Sequence, residues 1–134
     1  MDLDKRVWTL PSERMKVPRE HRVPLSDPAI AILKHLQALK FGEFVFPGAR
    51  EGKPLSNMAM LKTLERMKRR DITVHGFRST FRTWAAEQTS YPGEVVEGAL
   101  AHVVGNKVEA AYQRSDLLEK RRTLMDEWAR YCSE

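Results

Sequence analysis

The spacing of apolar positions near the start of the chain predicts a β-hairpin. Val7–Leu10 is a β-branched and aromatic run that is typical of a strand, and residues 22–25 have the composition of its partner. The connection between the two runs is long and polar, so it would project from the strands. We expect this hairpin to span about residues 6–25.

A helical pattern follows directly. Asp27 can cap a helix, and Pro28 suits the first turn because its missing N–H would have no partner there. Apolar residues then recur at helical spacing, which predicts that one side of this helix faces the core. Ser56-Asn57 can cap a second helix that reaches about Arg70. The apolar positions of the first helix are Ile30, Leu33, Leu36 and Leu39.

The composition after Val74 is helical nearly to the end of the chain. Breaks are expected near residues 90–93, 105–106 and 115–116, where glycine and polar residues interrupt the pattern. The last segment has one apolar stripe, which would pack on its own domain or on a neighbouring protomer. The members of the stripe are Leu117, Leu124, Trp128 and Tyr131.

The expected fold class is therefore mainly α with a small β-hairpin (α+β). The length of 134 residues fits one compact domain, with a helical core over about residues 27–114 and a C-terminal helix over about residues 116–132. A hydrophobic fraction of 42% excludes the apolar-poor class of disordered chains. Cys132 is the only cysteine, so an internal disulfide is excluded and a reducing, intracellular setting fits. No apolar run is long enough to span a bilayer.

The net charge of +5 is unevenly distributed. Residues 58–82 contain seven basic side chains against Glu65 and Asp71, so this segment alone carries +5. A polyanionic partner would be attracted by such a segment, because each neutralised phosphate releases counterions. A solvated basic helix face is the alternative explanation. The basic residues are Lys62, Arg66, Lys68, Arg69, Arg70, Arg78 and Arg82.

Candidate chemistry comes from three separated signals: His75 with Arg78, Leu100-Ala101-His102, and Tyr112. Cleaving a phosphodiester without a metal requires a nucleophile, charge neutralisation on the non-bridging oxygens and a proton for the departing sugar oxygen. A phenol can attack when cationic neighbours favour its phenolate. A guanidinium binds two phosphate oxygens at once, and imidazoles move protons. Taken singly, each residue also fits an ordinary structural role.

The order of these residues resembles the tyrosine recombinases, the family of the phage integrases, which share their catalytic core with type IB topoisomerases. His102 lies 24 residues after Arg78 and ten before Tyr112, as in that family. The resemblance implies that Tyr112 is the nucleophile and Arg78 the phosphate clamp. It further implies that His102 donates to a non-bridging oxygen, while His75 accepts or relays the tyrosine proton.

The resemblance also covers the predicted hairpin. In the family, a lysine in a flexible turn before a Val-Pro-Leu strand protonates the leaving 5′ hydroxyl. Lys16 holds that position here, although Arg14 and Arg19 are close neighbours in sequence.

Two features depart from the family pattern. Ala101 stands where the family has glycine in Leu-Gly-His, and we expect this to be tolerated because alanine is nearly as compact and suits a helix better. The family's first catalytic arginine precedes the hairpin, and no residue up to Lys16 matches it in order. We therefore expect a C-terminal piece of a longer integrase, with a partial catalytic domain that is inactive alone.

The resemblance implies double-stranded DNA at attachment sites and other integrase protomers, in a tetramer, as partners. It implies no cofactor, no metal, no membrane, and a location in the cytoplasm of a bacterium at its nucleoid. The expected function is site-specific recombination of DNA through a 3′-phosphotyrosine, as in prophage integration.

Three alternatives remain open from the sequence. A DNA-binding regulator without chemistry would use the basic helices alone. A metal-dependent nuclease would need clustered carboxylates, yet the acidic residues are scattered. A type IB topoisomerase would use the same chemistry to relax supercoiled DNA.

Overall fold

The computed structural model describes residues 1–39, 42–102 and 116–134. Over these ranges the chain is mainly helical, with one two-stranded antiparallel sheet, so the expected fold class is confirmed. The chain divides into two compact units. We call Met1–Ile30 with Arg82–Glu134 the hairpin unit, and Ala31–Phe81 the middle unit.

The hairpin forms where the β-branched and aromatic run predicts it. Strand β1 is Val7–Leu10 and strand β2 is His21–Pro24, with Val7 opposite Pro24 and Leu10 opposite His21. A 3-10 turn at Ser12–Arg14 begins the connection between the strands. Pro24 cannot donate to a ladder, and it stands at the last position of its strand, where that loss matters least.

Five helices lie in the part of the chain that the structure describes. Their bounds are α1 Asp27–Leu39, α2 Ala59–Arg66, α3 Gly76–Gln88, α4 Gly93–Ala99 and α5 Leu118–Tyr131. The break predicted near residues 90–93 separates α3 from α4. None of these helices is both long and apolar enough to cross a bilayer.

The second predicted helix is shorter than expected. It does not reach Arg70, because Lys68 adopts a left-handed conformation with φ of 57° that no α-helix can continue through. It also begins later than the sequence suggests. Met58 occupies the capping position and makes no side-chain capping bond.

The apolar side of α1 is less buried than its spacing predicts. None of its residues is buried, and Leu39 is 47% exposed. Among the described residues of the middle unit, only Leu64 and Phe81 are buried, since so short a stretch of chain cannot enclose a core of its own. Helical periodicity therefore identified the apolar side correctly but overestimated its burial.

The core of the hairpin unit forms around α4 and α5. Val95 of α4 and Leu124 of α5 are fully buried. The indole ring of Trp84 lies 5.0 Å from that of Trp128 and 5.6 Å from the ring of Tyr131, measured between centroids. The apolar stripe of the C-terminal helix thus packs on its own domain, the first of the two possibilities that the sequence offered.

Candidate active site

His75 and Arg78 share one turn at the start of α3. The N–H of Arg78 donates to the carbonyl oxygen of His75 at 3.1 Å, and Thr73 caps the helix by accepting the N–H of Gly76 with its hydroxyl at 3.0 Å. The imidazole is exposed and the guanidinium half-buried. Because the positive end of the helix dipole also favours anions, this turn is chemically suited to phosphate.

Basic side chains surround α2 in the same unit. Two of them are neutralised locally: Lys62 pairs with Glu65 at 2.8 Å, and Arg69 forms two hydrogen bonds with Asp71. Those bonds from Arg69 lower the pKa of Asp71 to about 2. Arg66, Lys68 and Arg70 are exposed and keep the surface positive.

Lys16 lies in the connection between β1 and β2, directly after the 3-10 turn. It is exposed, as are Arg14 and Arg19. The two strands hold the ends of this connection in register, so the exposed lysine projects from an ordered base. Its role as the proton donor stays a prediction.

His102 is positioned by the way α4 ends. Ala101 adopts the left-handed conformation with φ of 55°. Its N–H donates to Gly98 at 3.2 Å, and the N–H of His102 donates to the carbonyl oxygen of Glu97 at 2.9 Å. These two bonds and the left-handed residue define a Schellman motif, which folds the chain back over the last turn of the helix.

The expectation about Ala101 is therefore wrong in its reason. Alanine does not continue a helix here; it occupies the left-handed position after the helix end, where its Cβ is disfavoured and glycine is preferred. The family's glycine in Leu-Gly-His fits this backbone better than the alanine of this chain.

The carboxylate of Glu97 contacts two side chains, those of Arg82 and His102. Its Oε1 accepts from Nε of Arg82 at 2.6 Å, and its Oε2 lies within hydrogen-bond distance of Nδ1 of His102. The bond from Arg82, followed by that from His102, lowers the pKa of Glu97 despite partial burial. Sequence reasoning missed Glu97, because a residue five positions before His102 faces it only when the helix ends in a left-handed turn.

A second cluster joins strand β2 to the residues just before α5. Arg22 donates from Nε and Nη2 to the two carboxylate oxygens of Asp116, each at 2.7 Å. Arg121 is 1% exposed and donates to the backbone oxygens of Asp116 and Arg22, each at 2.7 Å. Burial opposes ionisation of Asp116, but the bonds from Arg22 outweigh it and lower the pKa of the carboxyl.

The structure thus groups the predicted residues only in part. His75 and Arg78 share a turn in the middle unit, whereas Lys16 and His102 belong to the hairpin unit. Tyr112 lies outside the described residues. Among the residues that are described, no three His, Cys, Asp or Glu side chains form a group able to hold a metal ion. His21, at the start of β2, is partly buried; burial, then Arg121, lowers its pKa.

Comparisons with known proteins identify the family of the chain. The family model described as the phage integrase family matches residues 1–118. The chain is 42% identical to prophage integrase IntA of Escherichia coli (strain K12) over 96% of its length, and 39% identical to prophage integrase IntZ of the same strain over 96%. It is 33% identical over its whole length to an integrase of Shigella phage Sf6.

The chain covers 32%, 32% and 36% of those three relatives, which is about a third of each. No solved structure matches it. A family model that spans most of the chain, together with relatives aligned over nearly all of it, establishes its membership. The chain belongs to the phage integrase family.

Proposed function

We propose that the chain is a partial catalytic domain that breaks and rejoins DNA at specific sites through a 3′-phosphotyrosine. The observation that carries the proposal is the turn shared by His75 and Arg78 at the start of α3, in a member of the phage integrase family. This turn supplies a guanidinium and an imidazole within a few residues, at the positive end of a helix dipole. Phosphate recognition needs those groups.

In the proposed reaction, Arg78 binds the non-bridging oxygens of the scissile phosphate and stabilises the charge that grows on them. His102 contributes a further donor, and His75 takes or relays the proton of Tyr112. The phenolic oxygen forms a bond to phosphorus as the bond from phosphorus to the 5′ oxygen breaks. Lys16 donates the proton that this oxygen needs to leave. The phosphotyrosine ester conserves the bond energy, so rejoining requires no ATP.

The named relatives are integrases of prophages and of a phage, which supports the same class of substrate for this chain. We infer that its partners are double-stranded DNA at attachment sites and further protomers in a tetramer, at the bacterial nucleoid. The exposed charge around α2 fits a phosphate backbone. The family's first arginine has no match before Lys16, so we infer that the 134 residues alone cleave little until such an arginine is supplied.

Nicked suicide duplexes test the proposal, because release of a short strand after the cleavage site traps the covalent product. Duplexes drawn from DNA that flanks the coding frame are incubated with the printed chain and with a longer product of the same frame. We expect a covalent adduct from the longer product, its loss in Tyr112→Phe, and its retention in Tyr131→Phe as the matched control. The same adduct in Tyr112→Phe contradicts the proposal.

Two further measurements separate the alternatives. A DNA-binding regulator gives retarded DNA but no adduct with any chain, and a metal-dependent nuclease loses its cleavage in EDTA. A type IB topoisomerase relaxes supercoiled plasmid that lacks an attachment site. We expect an adduct that persists in EDTA and no relaxation of such a plasmid.

A further inference from the structure

Residue 97 is connected to residue 102 in two separate ways. The carbonyl oxygen of Glu97 accepts the backbone N–H of His102 at 2.9 Å, and its carboxylate faces Nδ1 of the imidazole. The left-handed Ala101 makes both contacts possible, since it turns the chain back toward the preceding helical turn. The carboxylate side chain is 22% exposed, while the imidazole is 44% exposed.

An ionised carboxylate only accepts hydrogen bonds, so the imidazole nitrogen that faces it must carry the hydrogen. The pKa of Glu97 is lowered, first by the hydrogen bond from Arg82 and then by that from His102, which favours the ionised form. Nδ1 of His102 is therefore the donor to Glu97. The other ring nitrogen, Nε2, has no hydrogen-bond partner among the described residues, so it is suited to bind an external group.

We propose that Glu97 is a positioning residue that fixes the ring orientation and tautomer of His102 and so presents Nε2 to the DNA phosphate. This inference rests on the proposed function for the phosphate, although the tautomer itself does not depend on it. Carboxylates orient functional histidines through the opposite ring nitrogen in many sites. Here the carboxylate is itself held, because Arg82 of α3 binds its other oxygen at 2.6 Å.

Arg82 has a defined part in the same arrangement. It lies four residues after Arg78 on α3, and its Nε is directed at Glu97. The guanidinium therefore supports the carboxylate that orients His102. A purely structural role for Glu97, as a tie between two helices, would require only the contact with Arg82 and would be indifferent to which nitrogen of His102 carries hydrogen.

Nitrogen NMR of the 134-residue chain distinguishes these roles, because the shifts of the two ring nitrogens report the tautomer of each neutral histidine. We expect His102 to carry its hydrogen on Nδ1 in the unsubstituted chain and in Glu97→Gln, which keeps an acceptor oxygen. We expect Glu97→Leu to move the hydrogen to Nε2, the form that neutral imidazole prefers in water. Glu94→Leu, on the first turn of the same helix, is the matched control and should leave Nδ1 protonated.

The adduct assay then measures the consequence in the longer product of the frame. We expect Glu97→Leu to slow adduct formation on the order of tenfold at saturating DNA, and Glu97→Gln to slow it less. An Nε2-protonated His102 in the unsubstituted chain overturns the inference, whether or not the leucine variant folds. An unchanged cleavage rate in a folded Glu97→Leu with a changed tautomer also overturns it. If the unsubstituted protein has the expected tautomer but forms no adduct, the result contradicts the proposed function and not this inference.

Discussion

The guanidinium of Arg22 forms two hydrogen bonds of 2.7 Å with the carboxylate of Asp116, 94 residues later in the chain. Arg22 follows the connection that carries Lys16, and Asp116 lies four residues after Tyr112. The pair thus joins strand β2 to the residues that precede α5.

Asp116→Asn should destabilise the folded protein by about 2 kcal/mol, because it leaves the guanidinium of buried Arg121 without its carboxylate. The figure is below that for a fully buried pair, since the side chain of Arg22 is 42% exposed and screened by water. Urea unfolding measures the change. Glu119→Gln is the control, because it removes only an exposed partner of Arg122. It should destabilise the fold by at most about 0.5 kcal/mol. Equal effects of the two substitutions would contradict a special role for the Asp116 cluster.

Ala101→Gly should stabilise the fold by about 1 kcal/mol, because glycine adopts the left-handed conformation of residue 101 without penalty. An alanine-to-glycine substitution inside a helix should instead destabilise the fold. Ala86→Gly, at an exposed position of α3, is therefore the control and should cost about 1 kcal/mol. Thermal unfolding of the two variants compares the signs, and a destabilised Ala101→Gly would refute the assigned helix end.

Glu97→Gln should destabilise the fold by about 1 kcal/mol near neutral pH, because it weakens the bond to Arg82. The pKa of Glu97 is lowered from 4.5 by Arg82, then by His102, so its contribution is present above that value. It is lost as the pH falls through the lowered pKa. The gap between the urea midpoints of the two proteins should accordingly narrow as the pH falls below 4.5. A gap that does not change with pH would show that the charge of Glu97 is unimportant.

Lys16→Ala should slow adduct formation by roughly a hundredfold or more on ordinary DNA, because the leaving 5′ oxygen then lacks its proton donor. A substrate with sulfur in place of that bridging oxygen should restore the rate, since a thiolate leaves without a proton. Arg14→Ala and Arg19→Ala are the neighbouring controls. The assignment of the general acid is wrong if the sulfur substrate restores the rate of Arg14→Ala or Arg19→Ala but does not restore that of Lys16→Ala.

Much of the fold could be predicted from local sequence, because each element carries its own signal. A β-branched and aromatic run predicts β1, a run of similar composition predicts β2, and Pro28 marks the start of α1. The end of α2 could not be predicted, since Lys68 adopts its left-handed conformation without a glycine. Burial of α1 was also overestimated, because periodicity shows which side is apolar but not what covers it.

The candidate site, too, could be predicted from the sequence only in part. Motif order predicts His75, Arg78 and His102 as site residues. In the structure His75 directly precedes α3, Arg78 lies within it, and His102 follows α4. The partners of these elements could not be predicted, since contacts such as Arg22 with Asp116 depend on tertiary folding across most of the chain. Glu97 escaped notice because nothing in the sequence indicates the left-handed turn at Ala101.

The most direct test of the central claim is to identify the residue that becomes linked to DNA. The adduct formed by the longer product on a nicked duplex is digested with nuclease and protease, and the modified peptide is sequenced by mass spectrometry. The account predicts a phosphodiester remnant on Tyr112, joined through the 3′ end of the cleaved strand. A remnant on Tyr91, Tyr131 or a serine, or a linkage through the 5′ end, would contradict it.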